Sequence, residues 1–408
     1  MIDPSVRQTA QNLSGLPDPS GPLCAANGPT ERLDRLKQWV AATLGPGAWR
    51  IAPASNDASF RRYFRIDHDD HDDHDDHDDH DDHDNHDNHD NHDNHDVGHQ
   101  EPVAAGARTS LIVMDAPPDK EDCRPFVHVA RLFRAAGVHV PEIVAENHEQ
   151  GFLLLSDLGD STYLAALGDP DSYSTKPAAD KADQLYRDAI AALITIQSGS
   201  RAGELPEYDR TLLERELQLF PDWFVARQLG LTLSADQQQA LRRSFDAILD
   251  NNLAQPRVFV HRDYHSRNLM VCGDANPGIL DFQDAVHGPI TYDLVSLLRD
   301  AYIAWPEARV IDWCIRYWEA ARQAALPVSG DFSEFYRDFE WMGAQRQLKV
   351  LGIFARLCHR DGKTAYLRDQ PLVMAYLRRT CQRYRELAPL ARLLDQIAPV
   401  ETSTGYTF

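Results

Sequence analysis

The chain has 408 residues, room for two lobes and a sizeable core, and 43% of them are hydrophobic. Its net charge of −22 is concentrated: residues 67–96 hold 16 aspartates and no lysine or arginine, and setting them aside takes the balance to −6. So mild an acidic remainder argues against a nucleic-acid-binding surface, and no apolar run reaches the length of a membrane span.

Met1 is not followed by a basic segment and an apolar stretch, so no secretion signal is read. Cys24, Cys123, Cys272, Cys314, Cys358 and Cys381 are scattered without C-x-x-C pairs, the pattern of reduced thiols in a cytoplasmic protein. Residues 1–29 are rich in Pro, Gly, Ser and Asn and are expected to be loosely ordered. Thr30 is placed to cap a first helix, with Leu33, Leu36, Trp39, Val40 and Leu44 at helical spacing and Gly45-Pro46-Gly47 ending it. Strands are expected at 49–52 and 60–66, joined by the small-residue turn 55–59.

Within an insertion taken as 67–99, residues 67–96 are of low complexity, with histidine at every third position from His68 to His95. Nothing apolar interrupts it, so it has no face to bury and is expected to be disordered. It reads as an expansion of a hairpin loop, where added length costs little. A His/Asp tract is also able to hold a divalent metal adventitiously.

A third strand is read at 110–114, a helix at 124–136 closed by Gly137, and two further strands at 143–145 and 152–155. Five strands and one helix make a small mixed-sheet lobe, here taken as residues 30–157. Beyond Ser156-Asp157-Leu158 the pattern turns helical, at 181–197, 210–229, 235–252, 289–304, 307–324, 333–359 and 371–394. The helical lobe is taken as 158–408. The fold class is thus α+β and bilobal, and a cleft between lobes is where a ligand belongs.

A strand pair around 258–281 interrupts the helices. Val258-Phe259-Val260 reads as a buried strand leading into His261-Arg262-Asp263, Asn268 closes the loop, and a second strand, Gly278-Ile279-Leu280, leads to Asp281. Asp263 lies five residues before Asn268, and Asn268 thirteen before Asp281. A phosphoryl group in flight needs an aligned acceptor hydroxyl and cations beside its oxygens. Asp263 is suited to receive or orient the acceptor's proton. Asn268 and Asp281 offer oxygen ligands suited to Mg²⁺.

His261-Arg262-Asp263 with Asn268 resembles the catalytic loop of the protein-kinase-like superfamily, and Asp281-Phe282-Gln283 resembles its metal-binding segment, with Gln in place of glycine. The stretches His261–Met270, Leu280–Pro289 and Thr291–Asp300 are closer to the aminoglycoside phosphotransferase branch. Within it they resemble the anomeric N-acetylmuramate/N-acetylglucosamine kinases of bacterial cell-wall recycling, as do Ser59–Phe64 and Met114–Pro118. The resemblance runs from about 30 to about 395, the His/Asp tract excepted. It implies a protein-kinase-like fold, a monomer, ATP and Mg²⁺ as cofactors, and an amino sugar as the small-molecule partner, phosphorylated at C1. It also implies that backbone groups at Ser156, Asp157 and Leu158 bind adenine, and that His261 and Asp293 support the catalytic loop.

Two features depart from the protein-kinase pattern. Residues 53–59 contain no glycine, and Ile112-Val113-Met114-Asp115 stands where the third-strand lysine is usual; the helix at 124–136 lacks the partner glutamate as well. Arg61 or Arg62, just after the first loop, is the candidate replacement contact to phosphate. For the acceptor, His265, Glu216, Trp223 and Arg299 are candidates, with Trp305 and Arg356 behind them; an arginine is suited to hold the lactyl carboxylate of N-acetylmuramate as a bidentate pair. The rival readings are a kinase of the same fold for an aminoglycoside, amino alcohol or hydroxy amino acid, and a metal-binding pseudokinase.

Overall fold

The computed structural model describes residues 29–45, 47, 49–56, 60–68, 110–168, 175–273 and 275–399. The segment before Pro29 and the His/Asp tract beyond His68 lie outside the described residues. Helix α1 (Pro29–Leu44) belongs to a first compact unit, residues 1–48. It carries Leu33, Leu36, Trp39 and Val40 at helical spacing and ends at Gly45, whose φ is +83°.

The second unit, residues 49–408, opens with a five-stranded antiparallel sheet. Its strands are β1 (Trp49–Asn56), β2 (Arg62–His68), β3 (Leu111–Asp115), β4 (Ile143–Asn147) and β5 (Phe152–Ser156), in the order β1-β2-β3-β5-β4. Side chains alternate between the faces of a strand, and the register fixes which go where. Phe64 pairs with Val113 and Ile66 with Leu111 on one face; Tyr63 pairs with Met114 and Arg65 with Ile112 on the other. Between β3 and β4 runs α2 (Arg124–Ala136), with Pro125 in its first turn and Gly137 at φ +101° closing it. Its apolar face reaches the far lobe: the Phe126 and Phe282 rings lie 4.7 Å apart.

The remainder is mainly helical. Helices α3 (Tyr163–Leu167) and α4 (Lys176–Ser198) follow the sheet. Helix α5 (Arg210–Leu219) continues into a π-helical segment, Phe220–Gln228, where Pro221 has no N–H to give the ordinary ladder. Then come α6 (Ala235–Ala254), the short strands β6 (Arg257–Val260), β7 (Leu269–Met270), β8 (Gly278–Ile279) and β9 (Val286–Pro289), and α7 (Tyr292–Leu298), α8 (Glu307–Gln323), α9 (Phe332–Asp361), α10 (Gln370–Arg383) and α11 (Ala388–Ile397). Helix α9 is buried without a break from Phe339 to Gly352. It packs on α5, the π-helical segment, α6, α7 and α10. Gly352 permits the closest of these approaches, since a Cβ there would sit 2.4 Å from the Leu219 carbonyl carbon.

Three expectations need correction. The strand after the Asp263 loop does not pair with the strand before it: β6 pairs with β9, and β8 pairs with β7. The helix expected over 289–304 stops at Leu298, because 299–306 turns aside before Pro306. The helix expected over 371–394 is two, broken around Tyr384 ahead of Pro389. No helix among the described residues is long and apolar enough to cross a membrane.

Candidate active site

Val258, Phe259 and Val260 are buried, and they fix where the chain leaves β6. The next residues are held from two sides. Asp293, in the first turn of α7, accepts the His261 N–H at 2.6 Å and the Arg262 N–H at 2.9 Å, one on each carboxylate oxygen. Burial drives its carboxyl up to about 7 in spite of those two donors. The His261 imidazole is buried against Phe133 and Tyr264, and its Nε2 lies 2.9 Å from the Leu280 carbonyl oxygen. Burial lowers its pKa to about 4, so the ring is neutral and Nε2–H donates. Farther along, Asp300 accepts from both the N–H and the hydroxyl of Ser266. Arg262 at φ +78° and Asp281 at φ +62° both adopt the left-handed backbone that costs a residue with a side chain about 1 kcal/mol. The surrounding hydrogen bonds hold that strain in place.

The loop brings Asp263, Asn268 and Asp281 together. The Asn268 amide Nδ2 donates to the Asp263 carbonyl oxygen at 2.9 Å and reaches Asp281 Oδ2 at 3.3 Å. The Leu280 N–H donates to the Asn268 carbonyl, which fixes Asp281 beside it. Gln283, standing where protein kinases have glycine, donates its amide to Asp281 Oδ1 at 2.8 Å. Asn268 and Asp281 thus stand side by side, able to offer one amide and one carboxylate as hard oxygen donors. This donor set fits Mg²⁺, which keeps several waters and takes substrate phosphates as further ligands. Among the described residues there is no group of three or more His, Cys, Asp or Glu able to hold an ion.

Asp263 is half-buried. Burial pushes its carboxyl up, but Lys349, His265, Arg346 and Arg262 outweigh that and hold it below the usual carboxylate range. Two of those cations are tied to Glu216. The Arg262 guanidinium donates to Glu216 Oε1 at 2.5 Å and the Lys349 ammonium lies 3.0 Å from the same oxygen. Gln345 and Tyr208 donate to Oε2. Tyr208 is itself pressed on β9, where a Cβ on Gly288 would sit 2.7 Å from the Tyr208 Cβ. Glu216, expected to bond a sugar hydroxyl, therefore has its oxygens occupied inside the protein, and the cause is the cations facing Asp263.

Beside this loop, under the sheet, lies a cavity of about 430 Å³. Ile112 and Leu155 of the sheet face Met270 across an apolar slot, Ser156, Asp157 and Leu158 form one wall, and Asn268 and Asp281 form the polar end. The slot suits a flat heterocycle with its phosphates toward the acids. Arg65, on the cavity face of β2, clamps the connector: it donates to both Asp157 oxygens, at 2.6 and 3.1 Å, and to the Gly159 carbonyl at 3.0 Å. Arg61 and Arg62 part company. Arg61 pairs with Glu121 at 3.4 Å and is close enough to Asp281 to feel its charge. Arg62 is turned to the opposite sheet face and bound to buried Asp115, its cross-strand partner, so the strand alternation removes it from the phosphates.

Of the other acceptor candidates, His265 lies at the loop, edge-on to Tyr302, with its Nδ1 buried and without a hydrogen-bond partner. Trp223 is half-buried in the π-helical segment against the core. Arg299 is internal, donating to Glu340 at 2.8 Å and Thr380 at 3.0 Å, and Trp305 donates to the Tyr186 hydroxyl at 2.7 Å. Arg356 is half-buried on α9. Sequence reasoning passed over Arg65, Arg346 and Lys349. The signal for Arg65 was the two-residue period of β2; for the other two it was a pair of cations three residues apart between Met342 and Val350.

Residues 102–328 match the model of the phosphotransferase enzyme family. The chain is 47% identical over 347 residues to an N-acetylmuramate/N-acetylglucosamine kinase of Pseudomonas aeruginosa, covering 85% of this chain and 88% of that one. It is 43% identical over 379 residues to an N-acetylmuramate/N-acetylglucosamine kinase of Neisseria meningitidis, covering 93% of this chain and 100% of that one. In three dimensions it is similar to a choline/ethanolamine kinase family protein from Mesorhizobium loti, with a TM-score of 0.54 and 14% identity, over 88% of this chain and 99% of that chain. The fold is protein-kinase-like.

Proposed function

Because the chain belongs to the phosphotransferase enzyme family and is a kinase acting on a sugar hydroxyl, we propose that it transfers the γ-phosphoryl group of ATP to the C1 hydroxyl of N-acetylmuramate and N-acetylglucosamine. The observation that carries the reaction is that the Asn268 amide bridges the Asp263 backbone carbonyl and the Asp281 carboxylate, with Asn268 and Asp281 at the polar end of one cavity. The adenine occupies the slot between Ile112, Leu155 and Met270, against the connector backbone. Asn268 and Asp281 hold Mg²⁺, which when bound offsets charge on the β- and γ-phosphate oxygens. Arg61 adds a guanidinium on the same side. Asp263 accepts a hydrogen bond from the acceptor hydroxyl and aligns it for in-line attack.

The choice of C1 has a chemical support. The relatives are named for both sugars, so the phosphorylated hydroxyl must be one that N-acetylmuramate retains. A carboxylate facing Lys349, Arg346 and Arg262 is a weak base, better at orienting a hydroxyl than at stripping it. The hemiacetal hydroxyl at C1 is the most acidic in either sugar and asks least of such a base. The product is the α-1-phosphate, a precursor for UDP-sugar synthesis when cell-wall sugars are recycled.

Product analysis tests this. Incubation with ATP, Mg²⁺ and each sugar, followed by mass spectrometry and NMR of the anomeric proton, is expected to give a sugar monophosphate without a free reducing end. A product that still reduces alkaline copper would place the phosphate elsewhere and reject C1.

A further inference from the structure

Most of the cations around Asp263 have protein partners. Arg262 and Lys349 share Glu216, and Arg267 is stacked on the Tyr302 ring, 3.6 Å from its centroid. Arg346 is different. It is 6% exposed, its Nε is buried without a hydrogen-bond partner, and among the described residues its side chain forms no hydrogen bond or ion pair. Helix α9 aims it at the site. Lys349, three residues on and on the same helix face, reaches Glu216, whose partner Arg262 adjoins Asp263. Arg346 is near enough to act electrostatically on Asp263, His265 and Tyr302. His265 Nδ1, in the same place, is a second buried polar atom without a partner.

A guanidinium taken out of water and given no hydrogen-bonded counter-ion is costly, and a ligand anion is what relieves it. Two anions come near Asp263: the transferring phosphate and any acid group on the acceptor. Arg346 does not line the cavity that ends at Asn268 and Asp281, which favours the acceptor. We propose that Arg346 binds the lactyl carboxylate of N-acetylmuramate and so distinguishes this acidic sugar from N-acetylglucosamine, which has no carboxylate. The inference rests on the amino-sugar reading above.

The test compares Arg346→Gln with wild type on both sugars, and wild type on N-acetylmuramate whose carboxyl is converted to the carboxamide. Removing Arg346 also takes a cation from beside Asp263, so turnover of both sugars should change; the inference is read in their ratio, with kcat/KM for N-acetylmuramate relative to that for N-acetylglucosamine expected to fall by about 10- to 100-fold in the variant. The carboxamide should lose a similar factor with wild type, an arm that does not depend on the variant's folding. Equal losses on both sugars, or a carboxamide as good as the acid, overturn the inference while leaving the sugar kinase intact. A wild type that phosphorylates neither sugar overturns the proposed function and the inference together.

Discussion

Replacing Glu216 by glutamine keeps its shape and removes its charge. In the structure Glu216 is 5% exposed and takes Arg262 at 2.5 Å, Lys349 at 3.0 Å and Gln345 at 3.1 Å, with Tyr208 as a fourth donor. Burial pushes its carboxyl up, but Lys349 and Arg262 prevail and hold it low. At about 3 Å and an effective dielectric near 20, each ion pair is worth on the order of 5 kcal/mol before desolvation. Removing one partner of a buried pair costs about 3–5 kcal/mol, because the other charge stays behind. Here two cations are stranded, so Glu216→Gln is expected to lose about 4 kcal/mol, a large share of an ordinary domain's stability. With unfolding entropy near 2.1 cal/mol/K per residue, the melting temperature should fall by about 5 °C. Adding Lys349→Met removes one stranded charge and should recover about half of the loss. Thermal melts of the two variants and wild type, with KM for the sugar measured beside them, decide it. A Glu216→Gln protein as stable as wild type but with KM raised tenfold would mean that Glu216 contacts sugar after all.

Two further outcomes follow from the loop and the sheet. Asp293→Asn places an amide donor against the His261 or Arg262 N–H and should cost about 2 kcal/mol in urea unfolding, with kcat reduced more than the nucleotide KM is raised. Arg61→Ala should raise KM for ATP by about tenfold, whereas Arg62→Ala should leave it within about twofold and lower only the stability, since it weakens the tie to buried Asp115. Equal KM effects in the two arginine variants would contradict the strand register.

The parts of the molecule readable in its sequence are those where period and chemistry coincide. The helix at 124–136 was legible because its apolar positions keep a helical period between Pro125 and Gly137. Asp263, Asn268 and Asp281 were legible because the two acids follow short apolar strands and the amide closes the loop between them, at a spacing that phosphoryl transfer demands. Pairing was not legible: β6 and β8 are both short and largely apolar, and nothing in their local period says that β6 takes β9 and β8 takes β7. Glu216, Arg299 and Trp305 looked available because a sequence does not display the partners that bury them. The same blindness hid Arg346, whose significance is that it has no such partner.

The account depends above all on Asp263 acting on the acceptor hydroxyl. Asp263→Asn changes one oxygen to nitrogen and leaves the cations around it in place. Steady-state turnover of this variant with N-acetylmuramate, measured beside its affinity for ATP with Mg²⁺, is the direct test. Expected are a kcat lower by about 10³-fold or more, ATP affinity within about threefold of wild type, and a folded protein whose melting temperature falls modestly because the cations around position 263 lose a counter-charge. Turnover within tenfold of wild type would contradict it.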